Sequence, residues 1–97
     1  LKELVVSPGK GMSFQRHFKR NEIWFISKGE CEVNFSNSNP ENSSLIKLTT
    51  EEVFHVKVGH WHQIINPYKD PCHIIEIQYG EETNEDDIER LHYYEGN

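Results

Sequence analysis

The chain has 97 residues, 35% of them hydrophobic, with sixteen acidic against ten basic side chains and a formal charge of -6 at neutral pH. That length suits one small domain with a single core, and the acidic balance disfavours nucleic acid or an anionic membrane as the main partner. No apolar run approaches a membrane span and Leu1-Lys2-Glu3-Leu4 is no secretion signal, so a cytoplasmic protein is expected.

Short apolar and β-branched stretches alternate with turn residues along the whole chain, which predicts an all-β sandwich or barrel of roughly seven or eight strands. Leu4-Val5-Val6 runs into the turn cluster Ser7-Pro8-Gly9-Lys10-Gly11, and Met12 to Phe18 reads as the second strand. Glu22 to Ser27 is the third. Lys28-Gly29-Glu30 makes a tight reversal into Cys31-Glu32-Val33-Asn34-Phe35, whose strict alternation marks a half-buried strand with Phe35 in the core. The polar run from Asn37 to Ser44 is an exposed loop. Leu45 to Leu48, Val53 to Val58, Ile64-Ile65 and His73 to Tyr79 supply the remaining strands, with a proline-marked turn over Asn66-Pro67-Tyr68-Lys69-Asp70-Pro71. After the last strand the pattern changes: Asn84 can cap a short C-terminal helix with Glu85, Asp86 and Asp87 in its first turn and Ile88 and Leu91 packed on the barrel. Cys31 and Cys72 are too few for a disulfide framework and are expected to be reduced and structural. The chain begins at Leu1 without an initiator methionine, which leaves an upstream or trimmed start open.

The chemistry-bearing residues sit in a glycine-bracketed segment, Gly9 to Gly29, and in Gly59-x-x-His62-x-x-x-Asn66. Gln15 and His17 alternate on one strand and so share a face, Glu22 joins them after a short turn, and His62 arrives from a distant strand. Imidazole, carboxylate and amide oxygen suit one divalent ion, with zinc expected first and manganese, iron, cobalt or nickel also matching the donors. Open coordination positions on a six-coordinate ion would serve substrate. His55, His60, His73 and His92 match no ligand position and are read as structural or rim residues.

Those two motifs resemble the cupins, small β-barrels that draw metal ligands from adjacent strands. Gly9, Gln15, His17, Glu22 and Gly29 follow the first cupin motif, with Gln15 in place of its first histidine. Gly59, His62 and Asn66 follow the second, with Glu51 and Lys57 in place of its first glycine and its proline. Within the cupins, Gln15-Arg16-His17-Phe18-Lys19-Arg20-Asn21-Glu22-Ile23-Trp24 is similar to the type II isomerase domain of bifunctional mannose-6-phosphate isomerase/mannose-1-phosphate guanylyltransferase. That family usually carries histidines where Phe18 and Lys19 stand. Gly59-His60-Trp61-His62, Asn66-Pro67, Ile75-Glu76-Ile77-Gln78 and Glu85-Asp86-Asp87-Ile88-x-Arg90 extend the resemblance over nearly the whole chain.

The resemblance implies metal-dependent aldose–ketose isomerisation of a sugar phosphate, mannose 6-phosphate with fructose 6-phosphate, through a cis-enediolate. Glu76, with Gln78 two residues on, is the expected proton-transfer base, and Lys19, Arg20 and Lys57 are the expected phosphate ligands. Trp24 and Trp61 fit either the core or a sugar-stacking wall. A non-catalytic metal- or carbohydrate-binding cupin, or another metal-dependent cupin enzyme such as a dioxygenase, stays open because one ligand cage hosts unrelated reactions. A homodimer is expected, formed by covering an exposed sheet or by exchanging the edge strand Leu1 to Val6.

Overall fold

Alternation of apolar and polar residues produces strands here, and the strands sort into two facing antiparallel sheets. A computed structural model describes residues 1–95. In chain order the strands are β1 (Lys2–Val6), β2 (Phe14–Arg16), β3 (Arg20–Lys28), β4 (Glu30–Ser36), β5 (Ser44–Thr49), β6 (Val53–Val56), β7 (Trp61–Ile65), β8 (Cys72–Gly80) and β9 (Glu89–His92), with a short 3-10 turn at Pro40–Asn42. One sheet has the order β1-β8-β3-β6 and the other β5-β4-β7-β2-β9. This is the expected all-β architecture of two packed antiparallel sheets. The inward residues of β3, Glu22, Trp24 and Ile26, are buried while Ile23 and Phe25 face out, so the period-2 pattern decides which side chains meet inside.

Between the sheets Trp24, Ile26, Cys31, Val33, Leu48, Val56, Ile64, Cys72 and Ile74 form the core, with Phe35 and Phe54 packed against it. Both cysteines are buried free thiols. The reversal from β3 to β4 depends on Gly29, whose φ is +88° and whose added Cβ would lie 2.5 Å from the Pro71 carbonyl oxygen. Only glycine escapes both the left-handed penalty and that clash. The expected loop from Asn37 is exposed, and Asn39 Oδ1 accepts a hydrogen bond from Glu41 N at 2.9 Å to close its 3-10 turn.

The expected C-terminal helix is absent, and a strand takes its place. Asn84 Oδ1 does accept from Asp86 N (2.8 Å), as a helix cap would, but the bonds stop at a local turn. Residues Glu89 to His92 instead run antiparallel to β2, with Gln15 opposite Arg90 and Arg16 opposite Glu89. β2 has an open edge there, and its free ladder groups bond the tail more completely than a four-residue helix could bond itself. Among the described residues no helix is long and apolar enough to cross a membrane.

Candidate metal centre

The turn after β2, together with β3 and β7, delivers the three clustered donors. Gln15 stands directly opposite His62 across the β2–β7 ladder, and the turn after β2 carries His17 back toward Glu22 near the start of β3. The ligand atoms of His17, Glu22 and His62 all lie within 4.8 Å of one another, and all three residues are buried. Each imidazole is oriented from behind. The short His17 Nδ1 to Asp87 O contact (2.7 Å) and the His62 Nδ1 to His60 O contact (2.9 Å) require N–H on Nδ1, because a carbonyl only accepts. Both Nε2 lone pairs therefore point inward.

His62 Nε2 is buried with no hydrogen-bond partner, and burial pulls the His62 pKa down to about 4, against the upward pull of the His60 carbonyl. A neutral ring with a free, desolvated lone pair is what a metal requires of histidine. The donor set of two imidazole nitrogens and one carboxylate fits a divalent cation, while Gln15, expected as a fourth ligand, lies opposite His62 on the ladder with its Oε1 accepting from Ser13 Oγ at 2.6 Å.

A second carboxylate lies beside the first, joined to it through Trp24. Trp24 Nε1 bridges Glu22 Oε1 (2.9 Å) and Glu76 Oε1 (3.2 Å), while Gln78 Nε2 donates to Glu76 Oε2 (2.8 Å). Burial, reinforced by the Glu22 charge, pushes the Glu76 carboxyl upward, with Gln78 and Lys2 pulling the other way. Trp24 is at once a core residue, fully buried, and the donor that spans the two carboxylates.

The three cations expected to hold phosphate are differently placed. Arg20 is buried, with Nε and Nη2 on Glu22 Oε2 at 2.9 and 2.8 Å and Nη2 also 3.2 Å from His17 Nε2. Lys19 is exposed and pairs with Glu82 at 3.2 Å. Lys57 is exposed on the turn after β6, which is stitched to the β2–β3 turn by Gly59 N to His17 O (2.7 Å). Of the three, Arg20 alone contacts the clustered donors.

Residues 1–93 match the family described as mannose-6-phosphate isomerase C-terminal. The chain belongs to that family. It is 34% identical over 91 residues to the alginate biosynthesis protein AlgA of Pseudomonas putida and 34% identical over 92 residues to a mannose-1-phosphate guanylyltransferase of Salmonella montevideo, in each case covering 94% of this chain. It spans 18% of the length of each of those relatives. Among solved structures, the capsular polysaccharide assembling protein CapF of Staphylococcus aureus superposes with a TM-score of 0.80 at 20% identity, over 93% of this chain and 27% of that one. A cupin 2 conserved barrel domain protein of Salinispora arenicola superposes with a TM-score of 0.67 at 21% identity, over 79% of this chain and 59% of that one. These likenesses establish the cupin fold.

Within this mannose-6-phosphate isomerase C-terminal domain, the departures from the motif fall at identifiable places. Phe18 is 49% exposed, and with Trp61 it flanks the Arg16 guanidinium, 4.9 and 4.6 Å from the two ring centroids. It therefore leaves the His17–Glu22–His62 cluster untouched. Glu51, in place of a motif glycine, adopts φ of +75°. Asn66 is fully buried, and both its amide donors go to carbonyls, Val6 O and Asp70 O, each at 2.8 Å.

Asp87 is the functional neighbour that sequence reasoning missed, having been assigned to a helix entry. Its carbonyl orients His17, and its carboxylate receives Phe18 N and Lys19 N. No spacing rule links positions seventy residues apart.

Proposed function

We propose that this domain is a metal-dependent aldose–ketose isomerase acting on a sugar phosphate, mannose 6-phosphate with fructose 6-phosphate. The observation that carries the reading is the pairing of the inward-facing His17–Glu22–His62 donors with a second buried carboxylate, Glu76, one tryptophan N–H away. Family membership and the sugar-phosphate name of the guanylyltransferase relative support the same substrate class.

His17, Glu22 and His62, with Gln15, hold one divalent ion, zinc first by donor type, with manganese, iron, cobalt and nickel as the other fits. When bound, the ion supplies Lewis acidity to the sugar carbonyl and the adjacent hydroxyl. Glu76 takes a proton from one carbon and returns it to its neighbour. Its raised pKa suits a group that must hold the proton in between and then release it. Trp24 fixes the distance between the two carboxylates, and its ring meets His62 edge-on at 5.6 Å, closing the inner wall against water. Lys19, Lys57 and Arg20 take the phosphate.

The test is direct: protein loaded in turn with each of the five metals is assayed for interconversion of the two sugar phosphates. Turnover is expected with at least one metal, and His62→Ala is expected to abolish it while the circular dichroism spectrum is unchanged. Absence of turnover with every metal, together with sugar binding, would instead establish a non-catalytic carbohydrate-binding cupin.

A further inference from the structure

We propose that Arg20 is an internal competitor for the cation position, so that metal loading must displace its guanidinium from His17. The inference rests on the metal reading of the His17–Glu22–His62 cluster and concerns what sets the affinity of that cluster.

Arg20 is only 4% exposed although it carries a full charge. Nη2 reaches two of the three clustered residues, lying 2.8 Å from Glu22 Oε2 in an ion pair that Nε completes with a 2.9 Å hydrogen bond, and 3.2 Å from His17 Nε2. The Asp87 carbonyl already takes the proton on His17 Nδ1, so Nε2 presents one lone pair. That pair can accept an N–H or bind a metal, but it cannot do both. Charge points the same way. Glu22 is the one anion among the three, and the guanidinium already neutralises it. A divalent ion arriving beside an undisplaced guanidinium would face a like charge a few ångströms away, where burial makes that repulsion strong.

The structure also provides somewhere for the guanidinium to go. Nη1 is buried without a hydrogen-bond partner, and the nearest carboxylate beyond Glu22 is Glu85, at 3.6 Å, whose side chain is 70% exposed. Rotation toward Glu85 exchanges an inner anion for an outer one. Arg20 thus lowers metal affinity in exchange for a metal-free state in which Glu22 is paired.

The test compares wild type, Arg20→Met, Arg20→Lys and His62→Ala by cobalt and zinc titration against a chromophoric chelator, with melting temperatures measured with and without metal. Arg20→Met is expected to bind metal at least tenfold more tightly, to melt lower without metal because Glu22 loses its partner, and to show a larger metal-induced rise in Tm than wild type. Arg20→Lys keeps the charge without the planar fork and is expected to fall between them, which also covers the case in which Arg20→Met folds only with metal. Unchanged or weaker affinity in both Arg20 variants, with His62→Ala still abolishing binding, overturns the competition while leaving the metal site standing. Equal binding by wild type and His62→Ala overturns the metal site and the competition together.

Discussion

Glu51 carries a backbone conformation that an L-residue resists. At φ of +75° its Cβ crowds the following carbonyl, a cost of roughly 1–2 kcal/mol that glycine does not incur. Its exposure leaves the side chain little packing to offset that cost. Glycine there loses more chain entropy on folding, about 0.5–1 kcal/mol, so Glu51→Gly is expected to stabilise by a net ~0.5–1 kcal/mol, read as a higher urea midpoint at unchanged slope. A lower midpoint would show that Glu51 makes an interaction worth more than its strain. Cys31 and Cys72 give a second residue-level expectation. Both are fully buried, and burial above all raises both thiols, so each stays protonated in the folded chain. Neither should react with a thiol reagent at pH 8 until denaturant unfolds the protein, when both should react together; labelling of native protein would contradict the packing. The clustered donors His17, Glu22 and His62 were legible because motif spacing on strands determines which side chains face inward. Arg20 was only half legible: its charge suggested phosphate, but its burial on Glu22 depends on the turn that follows β2.

At the scale of elements, Asn66 shows how one motif residue ties loops rather than ligands. Its amide donates to carbonyls at the end of β1 and in the loop before β8, its Oδ1 receives Tyr68 N, and its backbone exchanges hydrogen bonds with Gly9 and Lys10. Asn66→Ala removes the donor to the Val6 and Asp70 carbonyls and the acceptor for Tyr68 N and is expected to cost about 1–3 kcal/mol. Calorimetry would show a lower Tm, while cobalt affinity of the folded variant should remain that of wild type; loss of metal binding with the fold intact would place Asn66 among the metal-holding residues instead. The strands were legible wherever alternation persisted, as over Cys31 to Phe35, and their ends moved by one to three residues, most at β7, which begins at Trp61 rather than Ile64. The tail was misread because Asn84 followed by acidic residues satisfies the first bonds of a helix and of a turn equally. Ile88 and Leu91 three apart suit either outcome. The deciding partner, the open edge of β2, lies some seventy residues away and has no local signature.

At the scale of the molecule, one sheet turns an apolar outer face to solvent. Cross-strand partners share a face, so Val53, Phe25 and Ile75 form one row across β6, β3 and β8, and His55, Ile23 and Ile77 form the next. Phe25, Val53, Ile77 and Tyr79 are 38%, 50%, 43% and 44% exposed. Scattered apolar side chains are ordinary on a surface, whereas contiguous rows on one sheet are the kind of surface a second copy would cover. β1 is already paired with β8 of its own chain from Lys2 to Val6, so covering this face is the simpler of the two routes to a homodimer. The molecule measures 35 by 28 Å across its two longer axes, room enough for the about 800 Å² per partner of an ordinary stable interface. In a twofold pairing each residue meets its own copy or a close neighbour, so Ile77→Glu places two like charges near one another in the buried contact. Sedimentation equilibrium at micromolar concentration is expected to give a dimer for wild type and a monomer for Ile77→Glu, with the same circular dichroism and the same cobalt affinity. A wild-type monomer would reject the homodimer, and an Ile77→Glu dimer would move the contact off this face.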